Sequence, residues 1–306
     1  MIPILAPIIL LVALGVVLGR LRFLGPGFAA DLNKLVFWVA LPALLFRSVA
    51  RAAHPGPQTF SLLGLLLAAT CVAALAGWAG AWLLRLPAES RGTLSQSAFR
   101  GNLAYIGIPV LAYAFDGLPA SSEAFGTAVI VMAFLMAFFN VLAVVVLSIG
   151  RDAERPVRAA LVSIFSNPLL LAGMAGIPFA FTRTTLPLFL DRTLESLGGA
   201  AVPVALLCIG GSLAHAHLGD KLGAIVVAAG LKTFLLPALV YLCSPAFGIS
   251  GPDFRSAMVL SACPTAAAAF VMAGQMKGDA PLASGSIVLS TLFAGISIPL
   301  ALFLSR

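Results

Sequence analysis

Apolar residues run along this chain in blocks of membrane-spanning length, separated by short polar connections. A helix needs about 20 mostly apolar residues to cross a bilayer. Ten blocks meet that demand, at 2–20, 32–50, 60–84, 93–115, 122–148, 159–181, 187–213, 222–243, 253–276 and 281–304. The longest charged connection, Gly150 to Arg158, leaves five blocks on each side. The expected organisation is a first five-helix repeat at 1–150, a linker at 151–158 and a second repeat at 159–306. No basic residue precedes the first apolar run, as a cleaved signal peptide would require, so residues 2–19 are expected to stay as a first span.

Composition fixes the solvent. Of the 306 residues, 61% are hydrophobic and 9% charged, against roughly 25% charged in a soluble domain. This excludes a secreted domain, a nucleic-acid binder, a disordered tail and an ordinary cytosolic enzyme, and it makes membrane lipid the main partner. The net charge of +7 sits mostly in connections. With the N-terminus outside, the cytoplasmic connections hold Arg20, Arg22, Lys34, Arg85, Arg91, Arg151, Arg155, Arg158, Lys221 and Lys277, ten residues, against six (Arg47, Arg51, Arg183, Arg192, Arg255, Arg306) on the other side. That bias favours both termini outside the cytoplasm. Cys71, Cys208, Cys243 and Cys263 lack CxxC spacing and read as small buried residues. His215-Ala216-His217 at a span end reads as an interfacial pair, so neither a metal nor a cofactor is expected. HExxH, GxSxG and Walker sequences are missing, which speaks against an enzyme. GxxxG spacing at Gly15–Gly19 and Gly219–Gly223 fits close helix packing and leaves a homodimer open.

The halves overlay with an offset of 161 residues, which brings Pro7 onto Pro168, Gly15 onto Gly176, Pro26 onto Pro187 and Pro42 onto Pro203. An odd number of spans per half forces the second copy to insert upside down. The expected fold class is therefore an all-α polytopic membrane protein with two inverted five-helix repeats, a design that places binding at mid-membrane.

Two spans carry breaks in corresponding places. Span 4 contains Phe99-Arg100-Gly101-Asn102-Leu103-Ala104-Tyr105, with Pro109 further on, and span 9 contains Cys263-Pro264-Thr265. Each break couples a helix disruptor to a good N-cap residue. Asn102 and Thr265 are expected to cap the second half-helices, whose positive ends suit an anion. The competing reading is a packing kink.

Lys232 lies about ten residues from either end of span 8, where a charge is expensive and usually functional. It is expected to bind an anion, to replace a coupling cation, or to tether backbone carbonyls at a helix break. Arg100 abuts the span 4 break and either steers carboxylates or snorkels to the cytoplasmic edge. Asn140, deep in span 5, is a site residue or an interhelical hydrogen-bond donor. No Asp or Glu lies near the middle of a span, which disfavours an alkali-cation pump.

These residues are familiar in combination. The stretch Phe99 to Pro109, Ser166-Asn167-Pro168, Leu231-Lys232 with Pro237, Pro264-Thr265-Ala266 with Phe270-Val271-Met272-Ala273, and Leu289-Ser290-Thr291-Leu292 resemble the motifs of the auxin efflux carrier family of bacterial permeases. The resemblance implies ten helices in a fold similar to bile-acid and sodium–proton transporters. Spans 1, 2, 6 and 7 would form a scaffold, and spans 3–5 and 8–10 a core in which spans 4 and 9 cross. It implies elevator-like secondary transport of a small organic anion, such as an auxin-, malonate- or malate-like weak acid, across a bacterial inner membrane. Substrate-binding residues would be Asn102, Arg100, Tyr105, Thr265, Lys232 and Asn140, with Gly101, Pro109 and Pro264 at the helix breaks. The chain departs from the family in its short central connection and in Ala266 to Ala269, where a polar residue usually follows the span 9 Pro-Thr. A passive channel or ligand sensor on the same fold is the alternative, distinguished by counterflow.

Overall fold

A computed structural model describes residues 2–21, 23, 31–32, 34–51, 57–115, 121–149, 168–182, 184–213 and 221–305. The central connection 150–158, Ser166-Asn167, Pro26, the His215–His217 pair and Gly219 lie outside these residues. All described elements are helical, apart from one isolated antiparallel bridge. Four helices are long and apolar enough to cross a membrane, namely Gln58–Leu83, Ala124–Ser148, Leu222–Phe247 and Ala280–Leu304, and shorter apolar helices accompany them. The protein is thus an all-α, multi-pass membrane protein.

The helices are α1 (Ile2–Arg20), α2 (Leu41–Ala50), α3 (Pro57–Leu83), α4 (Ala88–Phe99), α5 (Ile108–Phe115), α6 (Ser121–Ser148) and α7 (Pro168–Thr182). They continue as α8 (Leu188–Leu213), α9 (Leu222–Gly230), α10 (Leu236–Cys243), α11 (Gly251–Ala262), α12 (Ala268–Gln275) and α13 (Ala280–Leu304). Three five-residue π segments, Val36–Ala40, Leu103–Gly107 and Leu231–Leu235, run into α2, α5 and α10. Each is followed two residues on by a proline: Pro42, Pro109 or Pro237. A proline ring inside an α-helix strikes the carbonyl four residues back. The wider π turn moves that carbonyl aside; the Leu41 and Leu236 N–H groups reach back five residues to Val36 O and Leu231 O.

The helices gather in two compact units. Unit 1 comprises Met1–Thr59, Ala104–Phe134 and Phe165–Ala216; unit 2 comprises Phe60–Leu103, Leu135–Ile164 and His217–Arg306.

Inside unit 1, α1 packs on α8 and α7 packs on α2. Both contacts depend on glycine. A Cβ on Gly15 would strike Leu207 O and the Gly210 Cα, and one on Gly176 would lie 2.9 Å from both Phe46 O and Val49 Cβ. Gly176, Leu207 and Gly210 each stand 161 residues after Gly15, Phe46 and Val49. The two glycine contacts therefore obey the offset that aligns the halves of the sequence. At one end of this unit Asp191 accepts from Arg47 Nε at 2.9 Å and from Arg51 Nη2 at 2.5 Å, and Arg47 also meets Glu195.

Unit 2 is bound by polar contacts. Helix α4 reads Ala-Glu-Ser-Arg-Gly-Thr-Leu-Ser-Gln-Ser-Ala-Phe, yet Ser90, Thr93, Ser95, Gln96 and Ser97 are all buried. Such a helix cannot face lipid; it is enclosed by α3, α9, α12 and α13, with Ser95 Oγ donating to Ala74 O. At one end Asp279 caps α13 by accepting from Leu282 N–H, and it also accepts from Lys221 Nζ at 2.6 Å and Ser90 Oγ. Its own N–H donates to Thr93 Oγ1. Burial pushes the Asp279 carboxyl up, but the bonds from Lys221, Ser90 and the Leu282 N–H outweigh it and hold the group below the usual aspartate range.

Candidate functional site

Helix α4 ends because Arg100 leaves helical geometry, with φ −73° and ψ 94°, and Gly101 follows. Helix α11 ends at Cys263, where ψ is 140°, and Pro264 follows. The extended pieces meet inside unit 2. Asn102 N–H donates to Pro264 O at 2.7 Å, and Ala266 N–H donates to Arg100 O at 2.8 Å, on either side of an antiparallel Gly101–Thr265 bridge. Two broken helices thus satisfy each other's freed backbone groups, a condition for irregular chain at membrane depth. Shifted two residues from the 161-residue offset, the overlay sets Gly101-Asn102 opposite Pro264-Thr265; the structure joins the same four residues in an antiparallel bridge, with Gly101 opposite Thr265 and Asn102 N–H bonded to Pro264 O.

Thr265 takes another role than the expected cap. Its hydroxyl donates to Ser97 O at 2.8 Å, so it satisfies an orphan carbonyl at the end of α4. Its N–H donates to Ser290 Oγ at 3.0 Å. The N-cap of α12 is Ala267, which offers no side-chain bond, and both Ala267 and Ala268 are exposed. The threonine lies too far before the first helical turn to reach its N–H groups. Pro109 is likewise not at the break; it follows the π segment, while Gly101 and Pro264 occupy the extended pieces.

Lys232 is fully buried. The π segment carries it to the crossing, where Nζ donates to Ser261 O at 2.7 Å. A Cβ on Gly101 would lie 3.4 Å from Lys232 Cε and 3.6 Å from Nζ. The Gly101 backbone thus runs within van der Waals range of the ammonium beside the bridge. Ser261 O is an end carbonyl of α11, so the tether to a helix break is present, and two further N–H donors of the ammonium remain.

Arg100 neither snorkels nor stands free. It is 6% exposed, and its guanidinium donates to Asn140 Oδ1, to Phe139 O at 3.3 Å and to Met272 Sδ at 3.1 Å. Asn140 is the interhelical acceptor for this cation. Among the described residues the partners of Arg100 and Lys232 are neutral, and no carboxylate pairs with either. Tyr105 and Pro109 fall in the stretch assigned to unit 1, whereas Arg100, Gly101, Asn102, Asn140, Lys232, Pro264 and Thr265 all fall in unit 2. Among the described residues no group of three or more His, Cys, Asp or Glu side chains is placed to hold a metal ion.

Several participants escaped the sequence reading. Gln96 Nε2 donates to Ala269 O at 2.8 Å, while Gln96 Oε1 and Ser97 Oγ are buried without a partner. Ser297 Oγ donates to Ala262 O at 3.1 Å. A signal existed for α13: Ser286, Ser290 and Ser297 are four and seven residues apart, which puts them on one helix face, and all three are buried. For α4 the signal was the density of Ser, Thr and Gln in a segment that must sit at membrane depth.

Comparison with known proteins bears on this arrangement directly. A family model described as membrane transport protein matches residues 1–302. The chain belongs to that family, the auxin efflux carriers. It is 30% identical over 295 residues to a Rhizobium meliloti protein named "Putative malonate transporter", covering 92% of this chain and 88% of the relative. It is 29% identical over 298 residues to an uncharacterized transporter of Methanothermobacter thermautotrophicus, covering 96% and 94%. The Escherichia coli transporter YfdV is 24% identical over 311 residues, covering 99% and 96%. Family and relatives point to a transporter rather than an enzyme, and to a protein that crosses the membrane several times.

Proposed function

We propose that the protein is a secondary transporter of a small organic anion and binds the substrate carboxylate at the crossing of the broken helices. One observation carries this reading: Lys232 and Arg100 are buried beside the crossing with neutral partners only. A buried charge is costly without a counter-charge, and a transported carboxylate supplies one. Ala267 and Ala268, exposed at the start of α12, add backbone N–H donors and a positive helix end. Asn102, partly exposed at the bridge, is the polar side chain placed to orient the substrate.

The proposed architecture is ten spans in two inverted repeats, with alternating access of the elevator type and both termini outside the cytoplasm of a bacterial inner membrane. The shared 161-residue offset of the Gly15 and Gly176 contacts supports the repeat. So does the pairing of 100–102 with 264–266. A malonate-like dicarboxylate is the first substrate to try, because a relative carries that name.

The experiment is uptake of a panel of labelled carboxylates into proteoliposomes of the purified chain. Saturable uptake with counterflow is expected for at least one acid. Flux of a cation or sugar with none for any acid would end the anion assignment, and flux without saturation or counterflow would make the protein a channel.

A further inference from the structure

We propose that the protein works as an anion exchanger: it swaps one carboxylate for another across the membrane, and net movement is held back by the return of the empty crossing. This rests on the anion reading above.

Lys232 is hydrogen-bonded to Ser261 O, and Arg100 is covalently part of the crossing and bonded to Asn140, Phe139 O and Met272. All of these residues belong to unit 2. Whatever step presents the crossing to one side and then the other therefore carries both cations with it. The described carboxylates of the same unit do not reach them. Glu89 is exposed, Asp253 sits in the first turn of α11, and Asp279 is spent on Lys221 at the membrane end. Arginine keeps its charge in proteins, so at least one uncompensated buried cation is permanent.

An empty crossing thus moves with positive charge that no described side chain neutralises. A crossing loaded with a dicarboxylate moves with that charge balanced. Uncompensated charge is the costlier state to carry through a low-dielectric interior. Exchange uses two loaded movements, whereas net transport requires one empty movement per cycle. The same bookkeeping assigns the voltage dependence. An equilibrium shifts about 50-fold for each elementary charge carried across 100 mV. That sensitivity belongs to the empty return, and the loaded movement of a dianion has little of it. An inside-negative potential holds the empty, positive crossing at the inner face; it slows net uptake and speeds net efflux.

The test uses the full chain in proteoliposomes and labelled malonate, with malate and indole-3-acetate run in parallel. Uptake into vesicles preloaded with unlabelled acid is compared with uptake into empty vesicles, at zero potential and at a potassium–valinomycin potential of about 100 mV. Exchange is expected to run at least about tenfold faster than net uptake, a difference of about 1.4 kcal/mol in barrier, and to be unchanged by the potential for a dicarboxylate. Net uptake is expected to fall several-fold when the inside is negative. Lys232→Gln, checked for monodispersity, is expected to narrow the gap between the two modes. If that variant does not fold, the wild-type comparison still decides. Equal rates in both modes would overturn exchange while leaving anion transport standing. Net uptake set by a proton gradient and indifferent to potential would also overturn it, because the empty crossing would then return without uncompensated charge. No flux of any acid in either mode would overturn both this inference and the function it rests on.

Discussion

Replacing Thr265 with valine isolates the contact that closes the crossing. The two side chains have nearly the same shape, so packing is retained and only the hydroxyl is lost. In the native protein that hydroxyl donates to Ser97 O at 2.8 Å, and Thr265 is fully buried. Ser97 O lies in the last turn of α4, where carbonyls have no partner within the helix. Leaving a buried acceptor unsatisfied costs about 1–3 kcal/mol in water-soluble proteins. Interhelical hydrogen bonds within membranes average nearer 0.6 kcal/mol, with a maximum of about 1.7. The Thr265 bond joins two half-helices and is fully buried, so a loss of about 1–2 kcal/mol is expected, toward the upper end of the membrane range. The assay is unfolding of the purified protein in mild detergent by titrated denaturant, with Thr265→Ser as the companion. Serine keeps the hydroxyl and loses a methyl group; valine does the reverse. The reasoning requires valine to be the more destabilising of the two. Should valine match the wild type within about 0.3 kcal/mol while serine loses more, the hydroxyl contributes nothing and the crossing is held by packing and by its two backbone bonds.

Lys232→Met relieves the desolvation cost of an unpaired buried charge but leaves Ser261 O without its donor, a loss of about 1–3 kcal/mol, so unfolding should shift by no more than about 2 kcal/mol while carboxylate uptake falls at least about tenfold. Normal uptake by a folded Lys232→Met protein would remove the lysine from the site. Gly176→Ala should cost about 1–3 kcal/mol, because its Cβ would press on the Phe46 carbonyl; Gly199→Ala, with nothing within 4 Å of its Cβ, should be neutral or slightly stabilising, and a thermal-stability comparison decides. Asp279 is held below its ordinary range, so its contribution is present above the unfolded value of about 3.9 and disappears as the pH falls through the folded one. Asp279→Asn should therefore lower stability at pH 7 by about 1–3 kcal/mol and flatten the acid limb of a stability–pH curve below about pH 5; an unchanged acid limb would mean that another group sets it.

How much of the site could be read in advance depended on the kind of residue. Lys232 and Arg100 stood out because charge inside an apolar block has few innocent explanations. Gly101 and Pro264 stood out because they disrupt helices in matching places. What each side chain touches was not legible. Arg100 was equally consistent with a cavity and with the membrane edge, and only the approach of α6 and α12 turns it onto Asn140 and Met272. Thr265 looked like a cap for its own helix and instead serves α4, because the crossing brings a foreign carbonyl closer than its own helix start. The helix at 88–99 was missed as a separate element. An apolar window slides past Ser95, Gln96 and Ser97 toward the greasier residues beyond Gly101, although those polar residues are what enclose it in protein. The π segments were hidden too, since a proline announces a defect without saying how the turn before it will relieve the strain.

The amino-acid sequence by itself determined the solvent, the helical content and the places where helices fail. Those follow from local quantities: transfer of apolar side chains into lipid, the missing N–H of proline, and the freedom of glycine. It also placed helix disruptors in both halves of the chain, at Gly101 and at Pro264. Only the tertiary structure decided that the two breaks hydrogen-bond to each other, that Lys232 reaches Ser261 O beside them, and that neither buried cation meets a described carboxylate. These are relations between residues at least 29 positions apart, set by how helix faces close on one another, and no local pattern encodes them.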